Sequence, residues 1–152
     1  MTTHRAQQVV DAMRANLAAN TNINWSAFRQ RIDGLDVDEL ELPAVSVAFS
    51  QDTPLSALGA SSLNFIDSLL SVDVVLVAEG ANEDAVIVSL LEMRKQSHIS
   101  LMADRAQGLA FVVDTRYGGA EPPILNATSD RFTGTIKTLW HVYYRMNCLD
   151  PS

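Results

Sequence analysis

Apolar residues near the N-terminus recur at spacings of three and four: Ala6, Val9, Val10, Met13 and Leu17. That period places them on one stripe of an amphipathic helix over about 3–19, and Asn20, Thr21 and Asn22 end it. Residues 25–32 read as a further short helical turn. The pattern then changes to alternation in LPAVSVAF, 42–49, where Val45, Val47 and Phe49 share one face of a strand and Pro43 sits at its entry. Residues 51–62 hold Pro54, Gly59 and several small residues and read as a loop or a ragged hairpin end. A second, longer strand covers 63–78 and is richest in apolar residues over 72–77. Its Asp73 falls on the register opposite Val72, Val74 and Leu76 and can face water.

Asn82 is a good N-cap, followed by Glu83 and Asp84 where a helix dipole favours acids. The helix runs to about Asp104, with Val86, Leu90, Met93 and Ser97 as its stripe and Ile87, Leu91 and Ile99 widening it. Gly108 restarts the chain and 109–117 is a third strand, with Gly118-Gly119-Ala120-Glu121-Pro122-Pro123 as a connection. The fourth strand is DRFTGTIKTLWHVYYRMN, 130–147. One register, Phe132, Ile136, Trp140, Val142, Tyr144 and Met146, is mostly apolar. The other reads Thr133, Thr135, Lys137, His141, Tyr143 and Arg145. Fully extended, such a strand spans roughly 55 Å, longer than a small domain is wide. Either Gly134 bends it at a bulge, or part of it projects with 109–117 as a hairpin arm within about 109–146. The order helix, strand, strand, helix, strand, strand predicts an α+β fold: a mostly antiparallel four-stranded sheet with two main helices packed on one face.

Composition narrows the function. With 152 residues, 47% of them hydrophobic and 19% charged, the chain suits a single domain with a full core. The net charge of -7 weighs against a general nucleic-acid grip, which depends on many Lys and Arg contacts to phosphate. It also sets Trp140, Tyr143, Lys137 and Arg145 apart from a stacking platform, because the register commits Trp140 and Tyr144 to the core. A single cysteine, Cys148, excludes an internal disulfide and fits a reducing cytoplasm. The N-terminal segment lacks an apolar stretch of signal-peptide length.

Catalytic motifs are missing. There is no Gly-rich phosphate loop, no H-E-x-x-H and no G-x-S-x-G elbow. His4, His98 and His141 fall on three different elements, Glu92 and Lys95 read as an i,i+3 surface pair, and Cys148 lies beyond the last strand. The acids Asp33, Asp36, Asp38, Glu39 and Glu41 form a run without a base among them, which reads as a solvated segment. Neither a cofactor nor a metal is expected.

The succession of an N-terminal amphipathic helix, LPAVSVAF, a loop into VDVVLVA (72–78), the helix NEDAVIVSLLEMRKQ (82–96) and a closing strand pair ending TGTIKTLWHVYYR (133–145) resembles the tail terminator family of long-tailed bacteriophages. The likeness is one of pattern over nearly the whole chain, although 22–41 is longer than the pattern leads one to expect. It implies a structural virion protein rather than an enzyme. Such proteins form a hexameric ring that caps the tail tube, ends its polymerisation and presents a docking surface for the head. The implied partners are further copies of the chain, the tail tube protein and a head–tail connector or neck protein, with DNA only as passing cargo and no membrane. Assembly takes place in the host cytoplasm, and the mature location is the head-proximal end of the tail. Two alternatives stay open: another head–tail joining or neck protein, and, from a different class, a small hydrolase or nuclease using Asp and His residues brought together by folding.

A closed ring repeats one heterologous contact, so each subunit needs two complementary patches. Lys137, His141, Tyr143 and Arg145 are the expected subunit interface, facing an acidic neighbour. Thr53, Leu55, Leu58, Tyr117, Glu121, Ile124 and Arg131 are the expected contacts to the tube. The acidic run 33–41 is expected to face either lumen or solvent.

Overall fold

A computed structural model describes residues 3–29, 41–55, 65–127 and 131–152, without the side chains of 27 and 29. Among them are α1 (Arg5–Ala18), β1 (Ala27–Arg29), β2 (Ala44–Pro54), β3 (Phe65–Gly80), α2 (Glu83–Met102), β4 (Val112–Ala120), β5 (Ile124–Ala127) and β6 (Phe132–Asn147). The strands form one sheet in the order β1-β2-β3-β6-β4, with β5 pairing β6 alongside β4. Every pairing is antiparallel except the short parallel contact of β1 with β2. The fold is therefore α+β, as the periodicities predict.

Alternation decides which face each strand buries. Val45 and Val47 of β2, Leu70, Val72, Val74 and Leu76 of β3, and Ile136, Trp140, Val142 and Tyr144 of β6 are all buried. They meet Val9, Val10, Met13 and Leu17 of α1 and Val86, Leu90, Met93 and Leu101 of α2 in one core. The helices begin as their sequences ask: the Asn82 side chain accepts from the Ala85 N–H at 2.9 Å, and His4 Nδ1 accepts from the Ala6 N–H at 3.1 Å.

Several buried polar groups on the core side are paired within the chain, although Ser68 Oγ and Ser97 Oγ have no hydrogen-bond partner among the described residues. The Trp140 indole N–H donates to Thr138 Oγ1 at 3.1 Å, and the Thr138 hydroxyl donates to the Val74 carbonyl at 3.0 Å. The Tyr144 hydroxyl donates to Asp52 at 2.6 Å. Gln107, in the left-handed region at φ 53°, donates to the Leu101 carbonyl at 2.7 Å and receives the Asn16 amide at 2.7 Å. It thereby pins the link between α2 and β4 to α1.

The central pairing is long. β3 and β6 match residue for residue from Phe65↔Asn147 to Gly80↔Phe132, without a register shift. Gly134 is thus no bulge; its role is close approach. A Cβ there would run into Val86 Cγ1 and lie 2.9 Å from Leu90 Cδ1. Gly80, at the end of the neighbouring strand, would place a Cβ 2.9 Å from the Val86 amide nitrogen. The first turns of α2 therefore rest on two glycines.

Three expectations change and one is decided. Residues 25–32 do not start with a helical turn: β1 occupies 27–29, because Phe28 gains a pairing with Val45 and an edge-on contact with Trp25 that outweigh the helix-like spacing. Of the two readings for 51–62, residues 51–54 follow the ragged hairpin end and not the loop: β2 absorbs a shift between Phe49 and Gln51 and ends at Pro54. β4 likewise takes in Gly118, Gly119 and Ala120, and β1 and β5 raise the strand count from four to six. On α2, Leu91 and Ile99 do not widen the buried stripe. They are 48% and 53% exposed, and Gln96 and Leu101 are buried instead.

Gly134→Ala should destabilise the fold by roughly 1–3 kcal/mol through overpacking under α2, read as a lower denaturation midpoint with unchanged slope. Burial, then the bond to Asp52, raises the Tyr144 hydroxyl well above its ordinary value of 10.0. The native state thus holds this proton where the unfolded chain releases it. That stabilisation is whole below about pH 10 and declines as pH rises above it. Tyr144→Phe should therefore flatten the alkaline fall in stability relative to wild type in denaturation measured from pH 9 to 11.

Candidate interaction surface on the open face of the sheet

Both helices lie on one side of the sheet, and the other registers of β2, β3, β6 and β4 make up its opposite face. Four expected interface residues come together here. Lys137, His141 and Tyr143 stand in a half-buried row along β6, and Arg145 continues it into solvent. The strand is one in from the edge, because β4 lies beyond it.

The register supplies their partners. β3 places Asp67 opposite Arg145, Ser71 opposite His141 and Val75 opposite Lys137. The Arg145 guanidinium makes a two-point contact with Asp67, at 2.7 and 3.1 Å, and lies over the Phe65 ring. Lys137 Nζ sits 3.5 Å from both Asp73 and Glu121. On β4, Asp114 accepts two bonds from Arg105, at 2.6 and 2.8 Å, and one from Arg116 at 3.0 Å. Arg116 in turn lies 5.1 Å from the centre of the Tyr143 ring. The His141 ring covers Gly118, where a Cβ would lie 2.7 Å from Nε2, and its Nδ1 is buried without a hydrogen-bond partner among the described residues.

Charge on this face is compensated within the chain. The bond from Arg145 holds the Asp67 carboxyl below the usual carboxylate range, and Arg105 and then Arg116 do the same for Asp114. Asp73 first, and Glu121 after it, raise the Lys137 ammonium. The cations remain in contact with solvent while Asp73 and Asp114 are about one-fifth exposed, so each pair contributes modestly to stability. Their effect is to keep the face patterned yet close to neutral. Between Asp73, Glu121, Lys137, Leu139, Gly119 and Gln51 the face carries a depression of about 430 Å³.

The residues expected to touch the tube do not form one patch. Thr53 and Leu55 lie at the end of the sheet where β3 holds Leu69 and Asp67. Ile124, on β5, pairs at the level of Thr135 toward the other end, and Arg131 binds Glu79 at 2.6 Å there. Glu121 belongs to the Lys137 cluster. Tyr117 turns to the helix side, where its ring meets His98 and Trp140 and its hydroxyl accepts from Arg94 at 2.6 Å. Leu58 lies outside the described residues, as do Asp33, Asp36, Asp38 and Glu39; Glu41 is exposed.

Sequence reasoning found the cations and missed their acids. Asp67 and Asp73 share one alternation and were visible, but pairing them with Arg145 and Lys137 requires the inter-strand register, which no turn in the sequence fixes. Glu92 and Lys95 do form the expected i,i+3 pair, at 3.5 Å. Among the described residues no cluster of three or more His, Cys, Asp or Glu could hold a metal, and no helix is long and apolar enough to cross a membrane.

The face belongs to a one-sided α+β sandwich. No family model matches the chain, and no curated protein matches it in sequence.

Because Asp114 is held ionised by two guanidinium groups, its contribution is present above the ordinary carboxylate range and is lost as pH falls through its depressed value. Asp114→Asn should lower stability slightly at pH 7 and weaken the acid limb below about pH 4 by the same small amount, so that variant and wild type converge at low pH. Thermal melts across pH 2–7 read both.

Proposed function

We propose that the chain is a structural protein of a bacteriophage tail, of the terminator type. Six copies form a ring that caps the tail tube, ends its growth and offers a surface to the head or neck. Its proposed partners are its own copies, the tube protein and a connector, with DNA passing through the ring.

One observation carries this reading: a sheet face on which Lys137, Arg145 and Arg116 each have an acid from the same chain within reach, on a domain that keeps both helices to the other side. A protein surface can cover such a face without stranding an isolated charge, which is the costly event in burying ions. The same pairing leaves little unmatched positive charge to hold phosphate. Together with the acidic balance of -7, it suits a ring through which DNA moves without sticking. The order of helix, strand, long strand, helix and closing strands is the one on which the sequence resemblance rests.

Light scattering coupled to size exclusion should give a mass about six times 16.6 kDa, and negative-stain micrographs should show annular particles of sixfold symmetry. A chain that stays monomeric at every concentration removes the ring. Annular particles of another symmetry move the assignment to a different head–tail joining or neck protein.

A further inference from the structure

The two side edges of the sheet are built to meet each other. Among the described residues no strand lies beyond β4 on one side. On the other, among the described residues β1 covers only Ala44–Ser46 of β2 and no described strand lies along 47–54. Arg14 of α1 takes up the Val47 carbonyl at 3.1 Å, so the open stretch starts at Ala48.

Three properties of these edges match. The first is direction. β2, β3, β6 and β4 alternate, so β4 and β2 run opposite ways, and a second copy in the same orientation would lay its β2 antiparallel along β4. The second is level. Following the register across the sheet, Phe49 stands level with Tyr117 through Val72 and Trp140. Gln51 is level with Arg116 through Ser71 and His141, and Pro54 with Val112 through Ser68 and Tyr144. The open stretch of one edge therefore lies at the height of the other edge. The third is shape. β2 shifts register between Phe49 and Gln51 and β4 between Tyr117 and Gly119, within one residue of the same level; β4 shifts again between Val112 and Asp114, at the level of Thr53 and Pro54 where β2 ends.

We infer that copies of this chain join edge to edge, β4 of one to residues 48–54 of β2 in the next, as a continuous antiparallel sheet. The inference rests on the ring reading and supplies its contact. The join is heterologous, and because the edges stand at one height it adds no step along the strands from copy to copy. A ring requires a contact without a step whose rotation closes, whereas one with a step winds into a filament. Unpaired edge backbone supplies the attraction and the matched shifts supply the register.

Cysteine pairs test it. Gln51 and Arg116 are exposed, and their register puts both on the open face. Within one copy they are three strand spacings apart, roughly 14 Å, too far for a disulfide, whereas opposed residues on paired strands are near enough. In a Cys148→Ser background, Q51C with R116C, and separately T53C with D114C one level along, should under mild oxidation give a ladder of linked copies on a non-reducing gel. Each single substitution should stay at the monomer band. If scattering shows an intact ring but neither pair links, a different contact builds the ring and the inference falls alone. If R116C alone yields dimers, β4 pairs with itself and the inference also falls. A monomeric chain without a ladder removes both the inference and the ring.

Discussion

The pairing of β3 with β6 is the constraint on which the remaining architecture depends. Sixteen residues of each strand match without a slip, so every residue on one is assigned a neighbour and a face by the other. Because strand side chains alternate, a shift of one residue would turn Trp140, Val142 and Tyr144 to the open face and bring Lys137, His141 and Arg145 under the helices. The cost of burying those charges, added to the loss of the largest core side chains, holds the register far more firmly than any single hydrogen bond.

The same ladder writes the chemistry of both faces. On the helix side it creates the Trp140–Thr138–Val74 relay, which satisfies the indole in a dry core. On the open side it sets Asp67 against Arg145 and brings Asp73 within reach of Lys137. Long side chains of opposite charge on adjacent strands then neutralise each other locally. A face that would otherwise be a basic stripe becomes a mosaic with little net field. That changes what it can recognise, from polyanions to shaped protein surfaces.

Much of the fold was legible because it follows from period. The stripes of α1 and the first half of α2, the strands around 44–49 and 65–78, and the assignment of Trp140 and Tyr144 to the core all rest on spacing alone. What spacing did not convey was pairing. β1 falls within the stretch that read as a short helical turn, and only its alignment with Val45 makes it a strand. Pro54 and the glycines at 118 and 119 read as loop signals, yet all three sit in strands at the sheet's rim. Leu91 and Ile99 were apolar enough to read as core, but α2 has two apolar sides and the sheet covers one. Of the candidate site, the cations were visible and the acids that hold them were not.

The two glycines beneath α2 have a mechanical consequence. Gly80 and Gly134 belong to the two central strands, and Val86 and Leu90 sit against their backbone with no side chain between. Farther along, His98 leans on Tyr117 and Trp140, and Arg94 reaches the Tyr117 hydroxyl. The helix is thus clamped near both ends, directly to backbone at one and through edge-on and tilted rings at the other. It acts as a brace across the middle of the slab. A push on its outer side, where Val88, Leu91 and Ile99 are bare, passes into the centre of the sheet as a rigid displacement instead of being absorbed by side chains.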